Sequence, residues 1–299
     1  MFMHASGNSK PSSSFQFLRT FLLLGTVLSA ACLLALAPAP LLAQSRPFII
    51  FDAPDATRGT VPKKINDAGQ ITGNYQTDTA TYGFVRSADG VITEFGAPET
   101  NSTFPTSLNN HGDIVGYGVN SPNYRGFVRS AGGTFNQIAY PGAQGTFPAS
   151  INDSGIITGK YTDSNNLYHG FVRDTSGTYS AIDIAGAGTD SFQGTLPLAI
   201  NNSGEIMGLY RDPDFAPHGF LRDAAGNITI FDVPESTNTT PADMNNNGDV
   251  TGTYAGAGIL GGFIRHADGT FEIFAIPDAP SNYPIAINDS GHVVGTNLT

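Results

Sequence analysis

Few side chains in this 299-residue chain have the type and spacing to do chemistry. His169 and His218 occupy the same point of a repeated pattern, each followed by Gly-Phe, and matched imidazoles suggest a metal site. Their counterparts are Tyr82, Arg125 and Gly261, so no ring of identical ligands exists. Ligands of one ion must converge to about 2 Å, which neighbouring repeats do not allow, so strand packing is the expected role. Five arginines recur in Gly-Phe-x-Arg: Arg86, Arg129, Arg173, Arg222 and Arg265. They could line an anion channel, but a guanidinium repeated in every complete unit is better placed to tie carbonyls and acids together. Asp243-Met244-Asn245-Asn246-Asn247-Gly248 opens like a calcium loop, yet Tyr254 stands where the bidentate Glu belongs. A polar hairpin turn is expected there and no cofactor, calcium being the one cation with any motif. No nucleophile sits in a recognisable elbow, and Asp212 and Asp214 flank Pro213 as an exposed loop would, which leaves a two-carboxylate glycosidase unsupported.

Seven side chains suit ligand binding instead: Tyr124, Tyr168, Asp190, Phe192, Gln193, Asp212 and Asp214. They fall in irregular segments, and aromatic rings beside amide and acid groups would hold a sugar by stacking and hydrogen bonding.

What must position them is a unit of about 43 residues, recurring from residue 47 onward. Its anchor, Pro-x-x-apolar-Asn, ends at Asn66, Asn109, Asn152, Asn201, Asn245 and Asn288. Asn-Asp-Ser-Gly and similar runs follow, supplying residues that tolerate the positive φ of a tight hairpin. Ile71, Ile114, Ile157, Ile206, Val250 and Val293 then alternate with smaller residues, the mark of a half-buried strand. Gly-Phe-x-Arg is a third strand, and segments such as Ile92–Phe95 or Ile228–Phe231 form a fourth after a second tight turn. Four short antiparallel strands per period predict a β-propeller blade.

The chain ends complement each other. Phe48–Pro54 reads as a fourth strand without its first three, and residues 287–299 as a first and second strand with nothing after them. Together they predict about six blades, five complete and one composite, which would remove exposed sheet edges. A five-bladed ring with the terminal pieces packed outside is the alternative. The second-to-third and fourth-to-first connections share one face and are irregular: Gln76 to Thr81, Gly118 to Tyr124, Thr162 to Tyr168, Arg211 to Pro217 and Ala255 to Leu260. The longest runs from Ala185 to Thr195.

The run Ile151–Gly159 followed by His169-Gly170-Phe171, and its equivalent at Ile200–Gly208 with His218 to Phe220, resembles the bacterial extracellular repeats of the HAF family. The match covers nearly the whole chain after residue 43. Tyr82, Arg125 and Gly261 depart from the His position, and Gly replaces Ala throughout. The resemblance implies an exported, propeller-like repeat protein and lends no active site.

Residues 1–43 fit a cleaved signal peptide: Lys10 and Arg19, the apolar Phe21–Leu36, then small residues up to Ala43. The apolar core is shorter than a spanning helix needs, and Ser29 stands where a lipoprotein signal before Cys32 needs a large aliphatic residue. Removing the leader takes the only cysteine and moves the formal net charge from −11 to −13. Such an acidic body repels nucleic acid and anionic lipid. One propeller domain over residues 44–299 is therefore expected, monomeric and secreted or held in the periplasm or cell envelope. Its expected role is to bind an unknown glycan or protein. A carbohydrate-active hydrolase or lyase, or a purely structural envelope protein, is the alternative.

Overall fold

The computed structural model describes residues 49–256, 258–274 and 281–298, and these hold 22 strands and no helix. The expected leader lies outside the described residues. Among the described residues, no helix is long and apolar enough to cross a membrane. All strands fall in the unit Phe51–Thr299. Repeat 1 contains β1 (Thr60–Ile65), β2 (Ile71–Gln76), β3 (Thr81–Arg86) and β4 (Ile92–Phe95). Repeat 2 contains β5 (Ser102–Leu108), β6 (Ile114–Asn120), β7 (Asn123–Arg129) and β8 (Phe135–Ile138). Repeat 3 contains β9 (Gly145–Ile151), β10 (Ile157–Thr162), β11 (Tyr168–Arg173) and β12 (Tyr179–Ile182). Repeat 4 contains β13 (Gly194–Ile200), β14 (Ile206–Arg211), β15 (Pro217–Arg222) and β16 (Ile228–Phe231). Repeat 5 contains β17 (Asn238–Met244), β18 (Val250–Gly256), β19 (Ile259–Arg265) and β20 (Phe271–Phe274). A hairpin of β21 (Ser281–Ile287) and β22 (Val293–Leu298) follows. Within each repeat the strands pair antiparallel in chain order.

Local chemistry explains the repeat. The Asn152 side-chain oxygen accepts the Ile156 N–H at 3.0 Å, and Gly155 takes φ +79°, closing the first turn. One residue after the anchor proline the first strand bulges, so that Gly159 faces Pro148 while Thr158 faces Ser150. A Cβ at Gly159 would strike the Phe147 carbonyl, which explains a glycine at this point in all six anchors. The Gly-Phe-x-Arg phenylalanines, Phe84, Phe127, Phe171, Phe220 and Phe263, are buried, each removed from water at a gain of about 1.5–3 kcal/mol.

The core sits between repeats rather than inside them. Phe95 and Ala97 from the end of repeat 1 pack with Leu108, Ile114 and Phe127 of repeat 2. Ile138, Ile151, Ile157 and Phe171 repeat that layer one step on, as do Ile182, Ile200, Ile206 and Phe220. Polar staples run alongside. Asn66, Asn109 and Asn152 each donate a side-chain N–H to the carbonyl of the next anchor asparagine, at 3.1–3.2 Å. The following residues form a second ladder: Asp67 N–H to Asn110, Asn110 N–H to Asp153, Asp153 N–H to Asn202, Asn202 N–H to Asn246 and Asn246 N–H to Asp289. The arginines take the structural role: Arg129 donates to the Ser130 carbonyl and lies 4.9 Å over the Phe95 ring of the preceding repeat.

Phe51 stands in the first layer where Phe95 stands in the second, edge-on to Phe84 at 5.8 Å with Arg86 5.1 Å over its ring. Residues 49–54 are not a strand, and among the described residues β22 pairs only with β21. Lys64 of β1 reaches Asp243 of β17 at 3.3 Å, so the first and fifth repeats meet although 179 residues separate them.

Candidate functional site

The irregular connections do share one face. Each incoming connection donates to the last carbonyl of the second strand or one close to it: Gln144 N–H to Thr162, Gly188 N–H to Arg211 and Thr237 N–H to Ala255. At the same end the third strand touches the next first strand through single parallel contacts, Tyr124 with Gly145 and Tyr168 with Gly194. Tyr124 and Tyr168 are therefore strand residues at seams, not loop residues. In repeats 2 and 5 the expected irregular segments are mostly paired: Asn120 faces Asn123 with only Ser121-Pro122 turning the chain, and Ala255 and Gly256 face Leu260 and Ile259.

These seams gather an aromatic chain. The Tyr124 ring lies 5.1 Å from Phe147, and Phe147 packs edge-on against Tyr117 at 5.3 Å. Lys160 Nζ stands 5.8 Å from the Phe147 ring and 3.9 Å from the Tyr168 ring. Tyr168 in turn meets Phe192 edge-on at 5.9 Å. Among the described residues, no hydrogen bond or ion pair reaches the Lys160 side chain. Desolvation, then repulsion from Arg211, pull its ammonium down to about 8.

The long connection into repeat 4 is knitted to the loops on either side. Phe192 donates its N–H to the Asn166 carbonyl at 2.9 Å and accepts from Arg211 Nη1 at 2.7 Å. Its φ is +66°, and its ring is 52% exposed. Phe215, on the adjacent loop, repeats this combination at φ +63° and 51% exposure. A bulky side chain in the left-handed region is strained, and such strain clusters at functional sites. Gln193 is buried, donates to the Pro213 carbonyl at 2.9 Å and accepts the Asp190 N–H at 2.8 Å. Both ends of its amide hold the loop together rather than face a ligand. Asp212 Oδ1 accepts the N–H groups of Asp214 and Ala216, forming the turn, while Asp214 itself is exposed. Desolvation opposes ionisation of Asp212, but the Ala216 N–H and His218 outweigh it and hold the carboxyl below its usual range.

All seven sequence-predicted residues thus lie along one stretch of the face, across the seams of repeats 2, 3 and 4. Phe147, Lys160, Arg211 and Phe215 were not among them. Lys160 carries a readable signal, being the only basic residue at a position held otherwise by Asn74, Tyr117, Leu209, Thr253 and Thr296.

The repeated histidines are fixed by acids. His169 Nδ1 lies 2.9 Å from Asp183 and stacks on Tyr161; His218 Nδ1 lies 2.9 Å from Asp232 and stacks on Tyr210. Desolvation works to lower the His218 pKa, yet hydrogen bonds to Asp232 and Asp212 raise it. Among the described residues, no group of three or more His, Cys, Asp or Glu is arranged to hold a metal ion. In the calcium-like segment, Asp243 is bound to Lys64 and to the Ile287 N–H, and the Asn245 oxygen accepts the Asn247 and Asp249 N–H groups. That is the hairpin turn of every other repeat. Two open depressions mark the surface, one at the Tyr124 end of the aromatic chain and one at repeat 1. One of about 250 Å³ is lined by Tyr124, Arg125, Gln137, Tyr140 and Gln144. The other, about 500 Å³, lies at repeat 1 among Asp55, Tyr75, Tyr82 and Glu94.

No family model matches the chain, and no curated protein matches it. Solved structures do. Virginiamycin B lyase from Staphylococcus aureus is similar at a TM-score of 0.53 and 17% identity, over 80% of this chain and 76% of the lyase. TolB from Acinetobacter baumannii is similar at 0.52 and 15%, over 71% of this chain and 52% of TolB. A puromycin hydrolase follows at 0.52 and 12%, over 82% of this chain and 43% of its own. The chain therefore spans about half of TolB and less of the hydrolase. The lyase and TolB are β-propeller proteins. At these identities the likeness shows the fold alone: this all-β chain is built on the β-propeller plan.

Proposed function

We propose that this protein is an exported β-propeller of HAF-type repeats that binds carbohydrate on its irregular-loop face. The observation that carries the reading is the chain of rings Tyr124, Phe147, Tyr168 and Phe192, laid across two blade seams and ending in an exposed, strained phenylalanine. The apolar faces of sugar rings stack on aromatic rings, and loops on a rigid scaffold are where such specificity is built. The leader at residues 1–43 supports export to the periplasm, the envelope or the medium. Phe51 filling a fourth-strand position, and a separate hairpin β21–β22 after the fifth repeat, support six blades with one shared by the two ends of the repeat region. The domain acts as a monomer.

The test is thermal unfolding of the purified protein against a panel of neutral and acidic oligosaccharides. A binding glycan raises the melting temperature in proportion to the logarithm of its concentration, because it stabilises the native state by mass action. Tyr168→Ala should reduce that shift at least tenfold in apparent affinity while the protein keeps its unliganded melting profile. If no glycan in the panel moves the transition, the reading is wrong.

A further inference from the structure

Lys160 is a cation in an unusual setting for so acidic a chain. It sits on β10 with its side chain half-buried, its Nζ 3.9 Å over the Tyr168 ring, and no carboxylate among the described residues bound to it. The other basic side chains near this face are engaged. Arg125 is paired with Glu99, and Arg211 gives one N–H to the Phe192 carbonyl. A guanidinium carries five donors, so Arg211 keeps others for a ligand. Arg211 and Lys160 flank the same Tyr168–Phe192 pair and are close enough to repel each other. Two like charges at a partly desolvated place, neither ion-paired with a carboxylate among the described residues, are unfavourable until an anion bridges them.

Resting on the carbohydrate reading above, we infer that the ligand is an acidic oligosaccharide, with a sugar carboxylate seated between Lys160 Nζ and the guanidinium of Arg211 and its ring stacked on Tyr168. The negative charge of the whole molecule does not oppose this at contact range, because exposed charges beyond roughly 8 Å are screened at physiological ionic strength. The half-buried pair is screened much less.

The experiment compares oligouronates of several linkages with the same oligosaccharides after reduction of their carboxyl groups to alcohols, by titration calorimetry. The expected result is at least tenfold tighter binding of one uronate than of its reduced form. Lys160→Met should remove that preference, so that uronate and reduced form bind it equally, and Lys160→Arg should restore part of it. A sulfated oligosaccharide that binds as well as the uronate, equally dependent on Lys160, would narrow the requirement to an anion and overturn the carboxylate assignment. Equal binding of uronate and reduced form, or a uronate preference that survives Lys160→Met, overturns the inference and leaves carbohydrate binding standing. Binding of neutral glycans alone does the same. Absence of any glycan binding overturns both.

Discussion

At the scale of single residues, two side chains bear strain that folding alone does not require. Lys160 has its ammonium pulled from an ordinary value of 10.5 to about 8 by desolvation and then by Arg211. The folded protein therefore binds fewer protons than the unfolded chain between about pH 8 and pH 10, and stability rises with pH across that window. Below pH 8 the penalty of burying the charge is fully present. Lys160→Met should be more stable than the parent at pH 7, by about 1–3 kcal/mol, and the gap should close towards pH 9.5. Urea unfolding of both proteins at several pH values measures it, and a gap independent of pH would show that Lys160 is fully hydrated. The scan stops there because desolvation holds the Tyr117 and Tyr210 hydroxyls above their usual range, so the native state loses stability once those groups titrate. Phe192 offers a second contrast. Glycine at its φ of +66° relieves about 1 kcal/mol of backbone strain, partly offset by the entropy of a freer unfolded chain. Phe192→Gly is expected to melt at or above the parent temperature and to lose glycan affinity, a combination that a merely structural phenylalanine would not give.

At the scale of elements, the anchor asparagine does more than turn the chain. Asn152 is buried, accepts the Ile156 N–H and donates to the Asn201 carbonyl at 3.1 Å. Asn152→Ala leaves the Ile156 N–H unpaired and the Asn201 carbonyl with only the Gly204 N–H, and should cost about 1–3 kcal/mol, whereas exposed Asn110→Ala, whose partners water can replace, should cost about 1 kcal/mol or less. Equal losses in urea unfolding would mean that the buried asparagine staple contributes no more than the exposed ladder beside it. Strands and turns of this kind were legible in the sequence because their signals are local: Asn-Asp-Ser-Gly, alternating Ile157 and Gly159, Gly170-Phe171. The ladder was not, since nothing near Asn110 announces an Asp153 partner 43 residues away. The candidate site was half legible for the same reason. Tyr124, Tyr168 and Phe192 stood out as aromatics in irregular sequence, but Phe147 and Lys160 lie inside regular strands and become site residues only when neighbouring repeats bring their faces together. Gln193 had the right chemistry and the wrong direction, because its amide is consumed by the loop that carries it.

At the scale of the whole repeat domain, stability is distributed over layers between repeats, so each repeat leans on its neighbours and the meeting of the first and fifth becomes a shared constraint. Asp243 is the residue on which that constraint turns. One carboxylate oxygen holds Lys64 of β1 at 3.3 Å, and the other accepts the Ile287 N–H of β21 at 3.2 Å. Removing it strands a buried N–H as well as a lysine, whereas removing Lys64, whose side chain is 40% exposed, leaves an acid that still has the Ile287 N–H. Asp243→Ala should therefore destabilise by about 2–3 kcal/mol and Lys64→Met by less than about 1 kcal/mol. The double variant should show a coupling of about 0.5–1 kcal/mol, the size of a half-exposed ion pair. Urea unfolding of the four proteins gives the cycle directly. A coupling of zero together with a stable Asp243→Ala variant would mean that the two repeats do not meet in solution, and the array would then be open rather than closed upon itself. A coupling in the expected range requires residues 179 apart in the chain to lie within one side chain's reach, which for a series of stacked four-stranded sheets is the condition of a ring.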